Sequence, residues 1–143
     1  MRELKIEATI ENLSKVFTFL QESLEQCDAP PKVKRQIKLC VEEIYMNITH
    51  YAYNPDTGTA KIGVELKDSD KDQERIVISF VDEGKPYDPL AKQDPDLNLS
   101  LDDRPIGGLG IYLVKTTMDN VAYEHKDGQN VLTIEKDFEK NAK

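Results

Sequence analysis

Glu43 and Asn47 stand four residues apart in a stretch whose apolar residues, Val33, Ile37, Cys40, Val41, Ile44 and Ile48, recur at helical spacing. With Ile44 at the centre of the buried face and about 100° per residue, Asn47 falls about 60° from that centre and Glu43 about 100°, on the same side. The two are therefore neighbours at the edge of the core. Glu42 points away, and Tyr51 falls with the core residues. A carboxylate in this position can accept a proton or orient an attacking group. An amide oxygen is a suitable hard ligand for Mg²⁺. The helix alone leaves a second reading open, a solvated glutamate beside a boundary asparagine.

Two further segments carry potential chemistry. Ile76–Asp82 is an apolar run that delivers Asp82 to its end, with Gly84 two residues on. An ionised carboxylate there accepts a hydrogen bond from an exocyclic amine and rejects a keto group; equally, the aspartate could simply form a turn. Ile106-Gly-Gly-Leu-Gly-Ile111 places Gly107, Gly108 and Gly110 within four positions, directly before an amphipathic run through Met118. Glycine-rich backbone opening onto a helix start presents amides and a positive dipole end to an anion such as phosphate; a plain turn is the alternative.

The elements that must position these residues follow from periodicity. Residues 2–10 alternate as a strand, with Asn12 as a helix cap. A helix is expected to about residue 27, then a second from the Pro30-Pro31 pair to about Tyr53. Residues 59–67 and 75–82 read as strands joined by a charged loop, Asp68–Glu74. Regular patterning then stops from Glu83 to Pro105, a stretch with four prolines. Loops this long inside a compact domain are uncommon and usually functional, as lids are. The glycine segment and its helix come next. Two strands, about 119–126 and 129–137, close the chain around Asp127-Gly128, a tight-hairpin signal. Hairpin-joined strands and one apolar stripe per helix imply an α+β two-layer sandwich, its sheet mixed or mostly antiparallel with helices on one face.

Bulk properties set limits. A chain of 143 residues, 38% hydrophobic, fits one globular domain, 1–143. No apolar run approaches the roughly 18 residues of a membrane span, and the N-terminus lacks a signal-peptide core, so the cytoplasm is the expected location. The formal charge of −8 argues against direct nucleic-acid binding, though not against a nucleotide. Cys27 and Cys40 show no metal or redox spacing and read as buried thiols. G-x-x-x-x-G-K-[ST] is absent, which excludes a P-loop kinase, and no strand-turn-helix unit carries G-x-G-x-x-G.

Taken together, E-x-x-x-N on a helix, D-x-G after a strand, and a loop leading to G-G-L-G resemble the Bergerat-type ATP-binding fold of gyrase, Hsp90, histidine kinases and MutL. The stretches V-E-E-I-Y-M-N-I-T-H-Y-A-Y, F-V-D-E-G-K-P-Y-D-P and R-P-I-G-G-L-G-I-Y-L-V are most similar to the anti-sigma-factor serine kinases of bacterial partner switching. The resemblance spans roughly residues 4–137. It implies a histidine kinase-like ATPase domain with an ATP lid within about 83–106.

By this resemblance Glu43 corresponds to the catalytic base that activates a substrate serine, and Asn47 to the Mg²⁺ ligand. Asp82 corresponds to the adenine-reading carboxylate and Gly84 to its turn. Gly107, Gly108, Leu109 and Gly110 match the phosphate loop. Arg104 is a candidate γ-phosphate contact, with a solvated lid arginine as the equal alternative. ATP and Mg²⁺ are the implied cofactors. The implied partners are an anti-sigma-factor antagonist with a STAS domain, a sigma factor, and a second copy in a homodimer. The sequence also departs from the family. Tyr51 stands where a histidine is common, with His50 one residue early near the helix end. Arg104 lies four residues before Gly108. Thr133 is near the place of an adenine-assisting threonine, in a register the sequence does not fix. His125 is expected to be exposed. Three other functions share this fold: a module that holds ATP and sequesters a partner, a stand-alone histidine-kinase catalytic domain, and an ATP-hydrolysing clamp.

Overall fold

The computed structural model describes residues 1–53, 56–70, 72–91 and 108–140. The first strand, β1 (Arg2–Glu7), leads through a single 3₁₀ turn at Ile10–Asn12 into α1 (Leu13–Leu24). Helix α2 (Pro31–Tyr51) begins on the expected proline, whose missing N–H is no loss at a helix start. Strands β2 (Thr59–Asp70) and β3 (Gln73–Asp82), a 3₁₀ turn at Pro89–Ala91, helix α3 (Gly108–Thr117), and strands β4 (Asn120–Lys126) and β5 (Gln129–Glu139) complete the chain.

The five strands lie in the order β1-β2-β3-β5-β4, and every pairing is antiparallel. No parallel pair occurs among the described residues, so the sheet is at the antiparallel end of the expectation. Both ends of the first strand-helix connection are shorter than periodicity suggests. Strand β1 stops at Glu7, and α1 stops at Leu24 with a turn through Cys27. Asn12 does sit at the helix start, but its Nδ2 donates back to the Glu7 carbonyl at 2.7 Å instead of its oxygen capping a helical amide. Charge does not stop β2 and β3 where a loop was expected. The ladder continues through Asp68↔Glu74 to Asp70↔Gln73, with an irregularity between Asp68 and Asp70, because β5 runs alongside as a third strand through Glu74↔Phe138 and Gln73↔Glu139.

One face of the sheet is covered and carries the core. Ile62, Val64, Ile76, Ile78, Phe80, Leu132, Ile134 and Phe138 alternate inward along β2, β3 and β5. Against them pack Val16, Phe19, Leu20 and Leu24 of α1, Ile37, Cys40, Val41, Ile44, Tyr45 and Ile48 of α2, and Val114 of α3. Tyr45 widens the buried face of α2 beyond the apolar stripe. Its hydroxyl donates to the Thr9 carbonyl at 2.6 Å, which allows full burial. The Asp127-Gly128 hairpin forms as expected, with φ of 55° and 77°, the mirror-image turn that suits strand twist.

Candidate functional site

The site begins on the second half of α2. Glu43 and Asn47 are half-buried, one helical turn apart on the same side of buried Ile44, at the core boundary that the helical wheel assigns them. Glu42 is half-buried too, where full solvation was expected. Helix α3 packs on α2, and its first turn comes so close to Glu43 that a Cβ at position 110 would collide with the Glu43 carboxylate. Gly110 thus has a local reason to be glycine. Gly108 and Leu109 form the start of α3 in front of it. The Glu43 carboxylate therefore lies beside the positive end of a ten-residue helix dipole.

Asp82 closes β3 with its residue only 6% exposed. Both hydrogen bonds that reach it from the described residues end on Oδ1, from the Gly84 amide at 2.9 Å and from Asn130 Nδ2 at 2.9 Å. Gly84 is held by a different constraint. A Cβ there would collide with the Ala52 carbonyl at the C-terminus of α2, and the Lys85 amide donates to that same oxygen at 2.9 Å. The turn after Asp82 is thereby fastened to the end of the helix that carries Glu43 and Asn47.

Asn130 completes the arrangement and was not foreseen. It stands across from Asp82 in the β3–β5 register and is buried to 5% exposure. Its Nδ2 also donates to the Lys85 carbonyl at 2.8 Å. Its Oδ1 accepts from the Tyr123 hydroxyl and from the Tyr87 amide at 3.4 Å, and lies 3.3 Å from His125 Nδ1. His125 is exposed as expected, yet it touches this network through that nitrogen. The signal in the sequence was parity. Asn130 shares the inward alternation of Leu132 and Ile134, so it is a polar residue at a core position. By the same parity Thr133 falls on the opposite sheet face, across from Ser79, and does not reach Asp82.

Asn47, Asp82, Asn130 and Tyr87 line one pocket, floored by Ile44, Phe80 and Leu132. Its volume is about 30 Å³, close to the space of one water molecule and roughly a tenth of an ordinary small-molecule site. Tyr87 and Pro89, from the segment after Gly84, form its outer wall. Tyr51 contributes from outside. It was expected in the core, but it is 37% exposed and stacks on Tyr87 with ring centroids 5.2 Å apart. Ile48 and Ala52 beside it still pack in the core, while the Tyr51 ring meets the Tyr87 segment instead.

Burial pushes the Cys40 thiol up to about 11, and the nearby Glu43 charge adds to the effect against a hydrogen bond from Thr117 and the Lys136 ammonium. The Cys27 thiol is raised as well, mainly by burial. Both are free, buried thiols, as expected. His50 lies in the exposed last turn of α2, where a positive charge is favourable.

Arg104, Gly107 and the expected lid beyond residue 91 lie outside the described residues. As for Mg²⁺, no group of three or more His, Cys, Asp or Glu able to cage a metal occurs among the described residues. Mg²⁺ in nucleotide sites is held by one or two protein oxygens, with phosphate and water completing the shell. The single amide oxygen of Asn47, at the pocket wall one helical turn after Glu43, fits that mode. No described helix is long and apolar enough to cross a membrane.

Comparison with known proteins places the chain in a family. Residues 6–136 match the family model described as the histidine kinase-like ATPase domain. The serine/threonine-protein kinase BtrW of Bordetella bronchiseptica is 31% identical over 103 residues, covering 72% of this chain and 70% of that protein. The serine-protein kinase RsbW of Bacillus cereus is 32% identical over 100 residues, covering 67% of this chain and 59% of that protein. The crystal structure of the RsbU and RsbW domains of Rv1364c from Mycobacterium tuberculosis superimposes with a TM-score of 0.62 at 17% identity, covering 95% of this chain and 32% of that one, a likeness of fold. The chain belongs to the histidine kinase-like ATPase domain family, a domain that implies ATP binding, and within it is similar to serine-protein kinases.

Proposed function

We propose that this protein is an ATP-dependent protein serine kinase of the anti-sigma regulatory type, acting on a serine of a STAS-domain antagonist within a partner-switching system. A sigma factor is the second partner in this reading, and a homodimer the working form. The observation that carries it is the joint placement of Asn47 and Asp82 on one pocket wall, with Glu43 one helical turn earlier against the start of α3. The similarity to serine-protein kinases supports the choice of serine as acceptor.

In this reading Asp82 Oδ2 accepts the adenine amine, because Oδ1 is already occupied by the Gly84 amide and Asn130. Tyr87 and Pro89 must swing outward to admit the base. The triphosphate then runs along α2 toward the first turn of α3, whose amides and dipole receive it. Asn47 would hold Mg²⁺, which neutralises phosphate charge when bound. Glu43 takes the proton from the substrate serine hydroxyl as its oxygen attacks the γ-phosphorus and the bond to ADP breaks. Such transfer depends chiefly on positioning and charge stabilisation. Gly107, Gly108, Leu109, Gly110 and Arg104 are assigned to the phosphates.

Incubation with Mg-ATP and the STAS protein encoded beside it, followed by mass spectrometry, tests the proposal. Phosphoserine on the STAS protein supports it. Tight ATP binding and a stable complex without phosphoserine would replace it with a sequestering module.

A further inference from the structure

The described helices pack on one face of the sheet, and the register shows what the other face presents. Val77, Ser79 and Val81 of β3 and Val131 and Thr133 of β5 point outward by alternation. All five are half-buried, and none belongs to the core. They form the middle of an open face whose two edges are β1 and β4.

The edges carry opposite charge, row by row. Lys5 stands opposite Lys61, Lys61 opposite Val81, Val81 opposite Val131, and Val131 opposite Glu124. That row begins on cations and ends on a carboxylate. The next row, toward the Asp82 end, begins at Glu7 and Thr59 and ends at Gln129 and Lys126. Lys5, Glu124 and Lys126 are exposed, and none of them has an ion-pair partner among the described residues. Two lysines directly opposite each other repel. Glu3 lies 3.5 Å from Lys61, which leaves Lys5 unanswered within the chain.

We infer that this open face joins two copies of the chain, sheet on sheet, about a two-fold axis that runs along β3. Such an axis exchanges the edges and keeps each row on itself, so the surface is its own complement. Lys5 of each copy then lies over Glu124 of the other, Glu7 over Lys126, and Thr59 over Gln129. Val77 and Val81 meet their own counterparts on the axis. Farther along, Glu65 falls over Glu135 and Lys67 over Asp137, with Arg75 bridging Glu135 and Asp137 within each copy. A hollow of about 110 Å³ beside Lys5, Lys61 and Val81 leaves room for the incoming Glu124 side chain. An axis across the strands would set β1 on β1 and forfeit the Lys5–Glu124 and Glu7–Lys126 pairs. Five strands span about 19 Å, and the ten residues of β3 about 33 Å. Roughly 600 Å² of each copy is covered, about 1,200 Å² in all, which reaches the lower range of stable interfaces. The inference gives the homodimer proposed above its surface. Asp82, Asn47 and Glu43 lie on the helix side, so the joint leaves both nucleotide sites free.

Sedimentation velocity of the full chain without nucleotide, over a concentration series, tests it. The chain should dimerise. K5E and E124K should each weaken the dimer about tenfold, because each sets like charges together at both ends of the row. K5E/E124K restores opposite charges and should return the affinity to within about threefold of the parent. Within one chain the two residues are about 19 Å apart, beyond the screening length of about 8 Å at physiological salt, so such a rescue passes only between copies. V81K sets two lysines against each other on the axis and should abolish the dimer with unchanged circular dichroism. A monomer at every concentration overturns both this inference and the homodimer, and leaves phosphotransfer to its own assay. A dimer indifferent to these substitutions, or a double variant no tighter than the single ones, keeps the homodimer and overturns this face as its joint.

Discussion

Asn130 donates to the same oxygen of Asp82 that the Gly84 amide uses, from directly across the β3–β5 ladder. The carboxylate is therefore oriented by two donors on one oxygen, and no donor among the described residues reaches the other. Asp82→Asn can keep both donors by presenting its carbonyl oxygen to them. What changes is the remaining atom, from acceptor to donor. The fold should persist while ATP affinity drops by at least about tenfold, a loss typical of one unpaired buried hydrogen bond. Unaltered affinity in titration calorimetry would remove the adenine assignment.

Asn130→Ala should act on both stability and binding. It strips a donor from Asp82 and from the Lys85 carbonyl, and an acceptor from Tyr123 and the Tyr87 amide. Leaving such groups unsatisfied costs on the order of 1–3 kcal/mol. Thermal denaturation should show a lowered midpoint that added nucleotide only partly restores.

Glu43→Ala should bind ATP almost normally and lose transfer to the partner by roughly two to four orders of magnitude, the range for a missing general base. Persistent phosphoserine formation at the normal rate would show that Glu43 is not the base.

Gly110→Ala and Gly84→Ala should behave oppositely. At position 110 the added methyl meets the far end of the flexible Glu43 side chain, and alanine favours the helix. Melting temperature should hold or rise while phosphotransfer falls, because Glu43 is displaced. At position 84 the methyl meets the Ala52 backbone, which cannot swing aside. That variant should lose stability, as a lowered midpoint in urea unfolding would show.

Stability should decline at both ends of the pH scale for identifiable reasons. The Arg75 guanidinium holds the Asp137 carboxyl below the usual carboxylate range through hydrogen bonds at 2.6 and 3.2 Å. A depressed carboxylate contributes fully above its unfolded value, and the contribution fades as pH falls through the folded one. Arg75→Gln should flatten the acid limb. In base, Cys40 stays protonated to about 11 when folded against 9.0 when unfolded. The unfolded chain then holds fewer protons, so stability falls as pH rises between those values, by up to about 3 kcal/mol. Cys40→Ala should flatten that limb, whatever its own cost in packing.

Residues whose placement depends on local periodicity were legible from the sequence. The boundary position of Glu43 and Asn47, the strand-end position of Asp82 and the Asp127-Gly128 turn all follow from spacing within one element. What escaped depends on relations between elements. Asn130 acquires its place only from the β3–β5 register, and Thr133 loses its own for the same reason. Tyr51 has core phase on the wheel, but its ring stacks on Tyr87 from the segment after β3, a partner that no helical wheel contains. Asp68–Glu74 reads as loop by charge, yet cross-strand pairing continues through it. The positions assigned to phosphate by Arg104 and Gly107 lie outside the described residues.

The bond from the Lys85 amide to the Ala52 carbonyl makes a weld between α2 and the end of β3. Lys85 is held on both sides, its amide by Ala52 and its carbonyl by Asn130, so the turn after Asp82 ties the end of the helix that carries Glu43 and Asn47 to β5 as well as to β3. Past that double tie the segment touches the pocket through Tyr87, which stacks on Tyr51 and donates its amide to Asn130. One helix end and two strands thus share a single knot of backbone and amide bonds beside Asp82.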